Sequence, residues 1–157
     1  MDHEPTLSRT DAGPLFATLE KVLEQWAFIS PVPSREPVLP PGPSLSLKVE
    51  LDGAHPGVLG MRCETEFSRV LAECATGEDV EEDEAKDAFK ELANVFCSHM
   101  LTDWWGKDSA PDKPFVPRWV ETSEWPDENP ALTCSVECEG RRLDVFFWGK
   151  TPQGAKA

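Results

Sequence analysis

The sequence predicts an α+β fold in which a layer of long helices packs on one largely antiparallel sheet. Three segments carry apolar residues at the spacing of three and four that a helix buries. Two pairs of segments instead alternate apolar and polar residues, the period of a half-buried strand, and a short turn separates the members of each pair. The predicted order is helix, hairpin, helix, helix, extended segment, hairpin.

The chain has the size of one typical domain, at 157 residues. We divide it into a polar leader at 1–13, a single domain at 14–149 and a polar tail at 150–157. The first helix is predicted to begin near Pro14, because proline suits a first turn. Its apolar face consists of Leu15, Phe16, Leu19, Val22, Leu23 and Trp26.

A proline-rich run at 31–43 follows, and it is predicted to form a linker or an irregular edge because proline removes backbone donors. The alternating segments at 44–51 and 56–63 are predicted to form the first hairpin. They are connected through Asp52 and Gly53, a common turn pair.

The second helix is predicted at 64–77, with Gly77 as its stop. The acidic run at 78–87 then leads into the third helix, and Asp79 with Glu82 fits a capping pattern at its start. The predicted buried face of the third helix consists of Phe89, Leu92, Ala93, Phe96, Met100 and Trp104.

The last part of the domain is predicted to be extended. Residues 115–125 suggest an extended segment interrupted by a proline. The alternating segments at 131–138 and 141–149 are predicted to form the second hairpin, joined through Glu139 and Gly140.

The charge of the chain restricts its partners. With 29 acidic and 15 basic residues the net charge is -14, which argues against nucleic acid or an anionic membrane, since both require a positive surface. Proteins or small molecules are the expected partners. No apolar stretch approaches the roughly 20 residues of a membrane span, and the first residues lack the features of a signal peptide, so we expect a cytoplasmic protein.

Common catalytic and metal-binding signatures are absent from the sequence. The five cysteines include no CxxC pair, so we expect reduced, mostly buried thiols and no metal site. Of the three histidines, His55 is expected to be solvated in a loop, and His99 is expected to be semi-buried on the flank of the third helix.

A polar stripe occupies the outer side of the third helix. Asp87, Glu91, Asn94 and Ser98 fall within an arc of about 60° opposite the apolar face. Such a stripe is most often only a solvated surface. However, Asn is a mediocre helix former that competes with the backbone for hydrogen bonds, so stability and solubility alone do not explain its presence.

The segment DAFKELANVF places Asp87, Glu91 and Asn94 in the pattern [D/S]xxxExxN. This pattern resembles the helix motif of the CheC/CheX/FliY family of chemotaxis phosphatases. The first helix and the closing hairpin are also similar to those of the family, so the resemblance covers nearly the whole chain. In the first helix Glu24 is followed by Ala27 rather than by Asn. A single motif resembles CheX-type members, whereas CheC-type members carry two.

The resemblance implies a CheX-like fold and a phosphatase that hydrolyses the aspartyl phosphate of a phosphorylated CheY-like receiver domain. It implies that Asn94 orients water, that Glu91 docks on a receiver lysine, and that Asp87 and Ser98 extend the partner-binding edge. No cofactor is expected on this chain, since Mg²⁺ belongs to the receiver, and a homodimer is suggested. Two alternatives stay open: an inactive receiver-binding adaptor or scaffold of the same fold, and an unrelated acidic interaction domain.

Overall fold

The computed structural model describes residues 4–34, 42–109 and 115–151, and in the first helix it describes side chains from Gly13 onward. The helices are α1 (Glu4–Ala27), α2 (Thr65–Thr76) and α3 (Glu82–Trp105), with short 3-10 turns at Lys107–Ser109 and Thr122–Glu124. The strands are β1 (Val32–Pro33), β2 (Ser44–Leu51), β3 (Gly57–Glu64), β4 (Arg118–Trp119), β5 (Leu132–Cys138) and β6 (Arg141–Gly149).

The strands form one antiparallel sheet in the order β1-β5-β6-β3-β2-β4. The two predicted hairpins, β2–β3 and β5–β6, lie side by side through the β3–β6 pair. Glu139 and Gly140 both have positive φ, as the type I′ turn of a two-residue hairpin loop requires. The predicted α+β fold is confirmed.

The helices cover one face of the sheet. Strand residues such as Met61 and Val145 point toward them and are fully buried in the common core. The predicted apolar face of α3 is buried as expected, except that Trp104 is only partly buried and contacts Phe147 edge-on at a centroid distance of 5.2 Å. Burial of this face directs the polar stripe of α3 away from the core.

Helix α1 begins earlier than the sequence predicts. It starts at Glu4 and includes Pro14 in its interior. Proline inside a helix removes one backbone donor and crowds the carbonyl four residues earlier, at a cost of about 3 kcal/mol, but it does not always end the helix. The prediction that the helix starts near Pro14 was therefore wrong.

The connection between α2 and α3 combines one correct prediction with one error. Gly77 ends α2 in the left-handed region, with φ 80°, as predicted. The cap of α3 is Glu81 with Glu84, because the carboxylate of Glu84 accepts the backbone N–H of Glu81 at 3.0 Å. The predicted pair, Asp79 with Glu82, lies two residues too early.

The proline-rich run contributes the two-residue edge strand β1, while 35–41 lie outside the described residues, as do 152–157 of the predicted tail. Within the described segments, none of the helices has the length and hydropathy that a membrane span requires. All five cysteines are reduced, and all but Cys74 are buried.

Candidate functional site on helix α3

The stripe lies on the outer surface of α3, where the side chains of Asp87 and Glu91 are exposed and those of Asn94 and Ser98 are half-buried. The buried residues of α3 fix the rotation of the helix about its axis. The four stripe positions therefore share one face, on the side away from the core. The structure therefore places all four candidate residues on one surface, with Asn94 more enclosed than Glu91.

The four side chains of the stripe are not engaged by any other described residue. Across the described parts of the chain, no hydrogen bond or ion pair involves the side chain of Asp87, Glu91, Asn94 or Ser98. The amide of Asn94 can both donate and accept, and the carboxylate of Glu91 can accept from a cation. Because residues three apart on a helix lie about 5–6 Å from each other, one small partner group can contact both.

A short edge strand borders the stripe along the first half of α3. In β4, Trp119 packs against Phe89 with ring centroids 6.1 Å apart. The ammonium of Lys90 lies over the same indole, 5.4 Å from its centroid. Lys90 precedes Glu91 in sequence and lies one turn before Asn94, so a cation is held at the edge of the stripe.

An aromatic stack closes the other end of the stripe. Trp105 lies seven residues after Ser98, and His55 stacks on it at a centroid distance of 4.2 Å with the rings nearly parallel. The expectation that His55 is a solvated loop residue was wrong, because the β2–β3 turn meets the C-terminal end of α3. No local signal in the sequence indicates this contact.

The first helix offers no equivalent site. Glu24 is exposed and accepts a hydrogen bond from Ser30 at 3.4 Å, but Ala27 is fully buried and carries no amide. The described part of the chain therefore contains one complete glutamate and asparagine pair, on α3.

The described segments give little support for a metal site or for cysteine-based catalysis. No group of three or more His, Cys, Asp and Glu side chains within them is arranged to hold a metal ion. Burial raises the pKa of the Cys138 thiol to about 12, and it raises the pKa of the Cys63 and Cys97 thiols as well, so these cysteines are poor nucleophiles. His99 is half-buried on the flank of α3, as expected.

Solved structures show where this fold occurs. No protein-family model matches the sequence, and no curated protein sequence is detectably similar to it. The chemotaxis protein CheX from Vibrio vulnificus is similar in structure, with a TM-score of 0.63 and 14% identity over 86% of this chain and 97% of that chain.

A second similar structure is a complex from Borrelia burgdorferi that contains CheX, CheY, BeF3 and Mg²⁺, with a TM-score of 0.61 and 17% identity over 88% of this chain and 96% of the matched chain. FliY from Thermotoga maritima matches with a TM-score of 0.55 and 11% identity over 94% of this chain and 89% of that chain. The chain described here therefore has the fold of the CheX and FliY chemotaxis proteins.

Proposed function

We propose that this chain, which has the fold of CheX, is a CheX-like phosphatase that accelerates hydrolysis of the aspartyl phosphate of a CheY-like receiver domain. The observation that carries the proposal is the pair Glu91 and Asn94 on the outer face of α3, whose side chains have no partner among the described residues. The Borrelia complex, in which a protein of the same fold is bound to CheY, supports a receiver as the partner.

The amide of Asn94 supplies the positioning step. A receiver aspartyl phosphate is an acyl phosphate with its own Mg²⁺, so the electrophile is already activated in the partner. Asn94 accepts a hydrogen bond from a water molecule and holds it in line with the phosphorus. The water oxygen bonds to phosphorus while the bond to the aspartyl oxygen breaks, giving inorganic phosphate and a free aspartate. Positioning of this kind contributes several kcal/mol to the barrier reduction.

An amide suits this step better than a carboxylate. It donates and accepts hydrogen bonds without a charge that would repel the phosphoryl group. It is not protonated or deprotonated in the step, because the proton of the attacking water leaves with the phosphate product. Asn94 is half-buried and has no hydrogen-bond partner among the described residues, so no internal bond is broken when it enters the receiver.

Glu91 docks the receiver. Its carboxylate is exposed and free of ion pairs in the described part of the chain, so it can pair with a receiver lysine without losing an internal partner. Asp87 and Ser98, one turn before Glu91 and one turn after Asn94, extend the partner-binding edge. With a receiver as partner, the chain acts in the cytoplasm and binds no cofactor of its own.

The proposal is tested with a panel of purified CheY-like receivers, each phosphorylated with acetyl phosphate and Mg²⁺. The decay of each phosphorylated receiver is followed with and without a catalytic amount of this chain. We expect accelerated decay of at least one receiver with multiple turnovers. Binding without acceleration would replace the phosphatase with an adaptor, and the absence of both binding and acceleration would overturn the receiver as partner.

A further inference from the structure

We infer that Lys90, held against Trp119, forms a cationic edge of the docking surface and recognises the anionic phosphorylation pocket of the receiver. The inference rests on the proposed function and adds to it the residue pair that recognises the charge of the partner. We refer to Lys90 and Trp119 as the Lys-Trp edge.

The Lys-Trp edge is positioned by the sheet. Trp119 lies in β4, which pairs with β2 through Leu47, and its ring packs on Phe89 in the core face of α3. The ammonium of Lys90 lies 5.4 Å from the centroid of that ring. A lysine held over an indole has fewer conformations than a lysine in solvent, so a partner that binds it has less side-chain entropy to remove.

Among the described residues, no carboxylate forms an ion pair with Lys90. In the described segments Lys86 pairs with Glu82 at 3.6 Å and Lys21 pairs with Asp103 at 2.7 Å, whereas Lys90 forms no ion pair. Asp87 lies one turn before Lys90, at a spacing that commonly allows an ion pair. The ammonium instead contacts the indole of Trp119, and the side chain of Lys90 is only half-buried, so it stays accessible to a partner.

Charge complementarity identifies the occupant of this edge. The chain has a net charge of -14, which repels a phosphorylated pocket rich in carboxylates. A cation one turn from Asn94 offsets that repulsion where the amide enters the pocket. Glu91, the next residue, presents the opposite charge to a receiver lysine. Two adjacent charges of opposite sign thus fix the orientation of the receiver on α3.

Binding of a receiver in its beryllofluoride-Mg²⁺ state tests this inference, because it does not depend on turnover. Lys90→Gln is compared with Lys86→Gln, which removes the same charge one turn earlier on the same helix from a lysine already paired with Glu82. We expect Lys90→Gln to weaken binding about three- to tenfold and to reduce its dependence on salt, and Lys86→Gln to change binding by less than about twofold.

Two further variants separate recognition from folding. Lys90→Arg keeps a cation that stacks on indole, so we expect it to retain most of the affinity. Trp119→Leu removes the ring, so we expect affinity between those of the wild type and Lys90→Gln. A melting curve for each variant verifies that it is folded at the temperature of the binding assay.

The outcomes distinguish the inference from the proposed function. Equal affinities of Lys90→Gln and Lys86→Gln would overturn the inference even if the wild type is an active phosphatase. A selective loss in Lys90→Gln with no turnover by the wild type would support the Lys-Trp edge and reject the phosphatase. If the wild type binds no receiver in the panel, both are rejected.

Discussion

A buried charge cluster on the face of the sheet opposite the helices gives a quantitative prediction. The carboxylate of Asp144 lies 2.8 Å from the guanidinium of Arg62 and 2.6 Å from that of Arg142. The side chain of Asp144 is 1% exposed and that of Arg142 is 3% exposed. The substitution Asp144→Asn keeps the shape of the side chain and removes the negative charge that pairs with both arginines.

The expected cost follows from this burial. Removing one partner of a buried ion pair destabilises a protein by about 3–5 kcal/mol, because the remaining charge stays desolvated. For a protein of this size each kcal/mol corresponds to about 2–4 °C in Tm, so the melting temperature should fall by about 6–20 °C. The matched control is Glu50→Gln on the same face of the sheet. Its carboxylate is 57% exposed and contacts Lys48 and Arg118 at 3.4 Å, so about 0–1 kcal/mol should be lost.

Urea denaturation of the wild type and the two variants measures these costs. A loss of less than about 1 kcal/mol in Asp144→Asn would refute the reasoning, because it would place the cluster in the range of surface pairs. An equal loss of stability in Asp144→Asn and Glu50→Gln would also refute the reasoning. Receiver binding by folded Asp144→Asn should match that of the wild type, since the cluster and the stripe lie on opposite sides of the sheet.

Three other predictions concern the stripe, assembly and the thiols. Glu91→Ala should weaken receiver binding and lower turnover without changing Tm. Asp87→Ala and Ser98→Ala should reduce binding and turnover less than Glu91→Ala does. An unchanged affinity in Glu91→Ala would contradict its docking role. The resemblance to CheX-type proteins predicts a homodimer, and light scattering that gives a monomer mass at tens of micromolar would reject it. At pH 8 a thiol reagent should modify Cys74 of α2 well before Cys97 and Cys138. Burial raises the pKa of all three thiols, but Cys74 is only half-buried, whereas Cys97 and Cys138 are buried and therefore shielded from the reagent. Rapid labelling of Cys97 or Cys138 in the folded protein would be the contrary result.

The sequence predicts local periodic structure well. The rotation of α3 follows from the spacing of Phe89, Leu92 and Phe96, and the same spacing directs Glu91 and Asn94 away from the core. It does not predict that Asn94 is half-buried while Glu91 is exposed. The two hairpins follow from period-2 alternation around short turns. These signals are contained within one element, so they need no knowledge of the neighbouring elements.

Contacts between distant segments are not predicted in this way. The stack of His55 on Trp105 joins a hairpin turn to the end of a helix, and Asp144 meets Arg62 only because β3 and β6 pair in register. Period-2 alternation indicates that Asp144 and Leu143 face opposite sides of the sheet, but it does not indicate that both are buried. The Lys-Trp edge depends in the same way on the placement of β4.

The most direct test of the proposed function is the decay of a phosphorylated receiver in the presence of Asn94→Ala. If Asn94 orients the water, decay should return to within about twofold of the spontaneous rate, because the variant lacks the group that acts in the transition state. Binding of the beryllofluoride-loaded receiver and the melting temperature should stay close to those of the wild type. Ala is a good helix former, and the side chain of Asn94 has no partner in the segments that the structure describes. Full acceleration by Asn94→Ala, on a receiver that the wild type dephosphorylates, would contradict the catalytic role of the stripe.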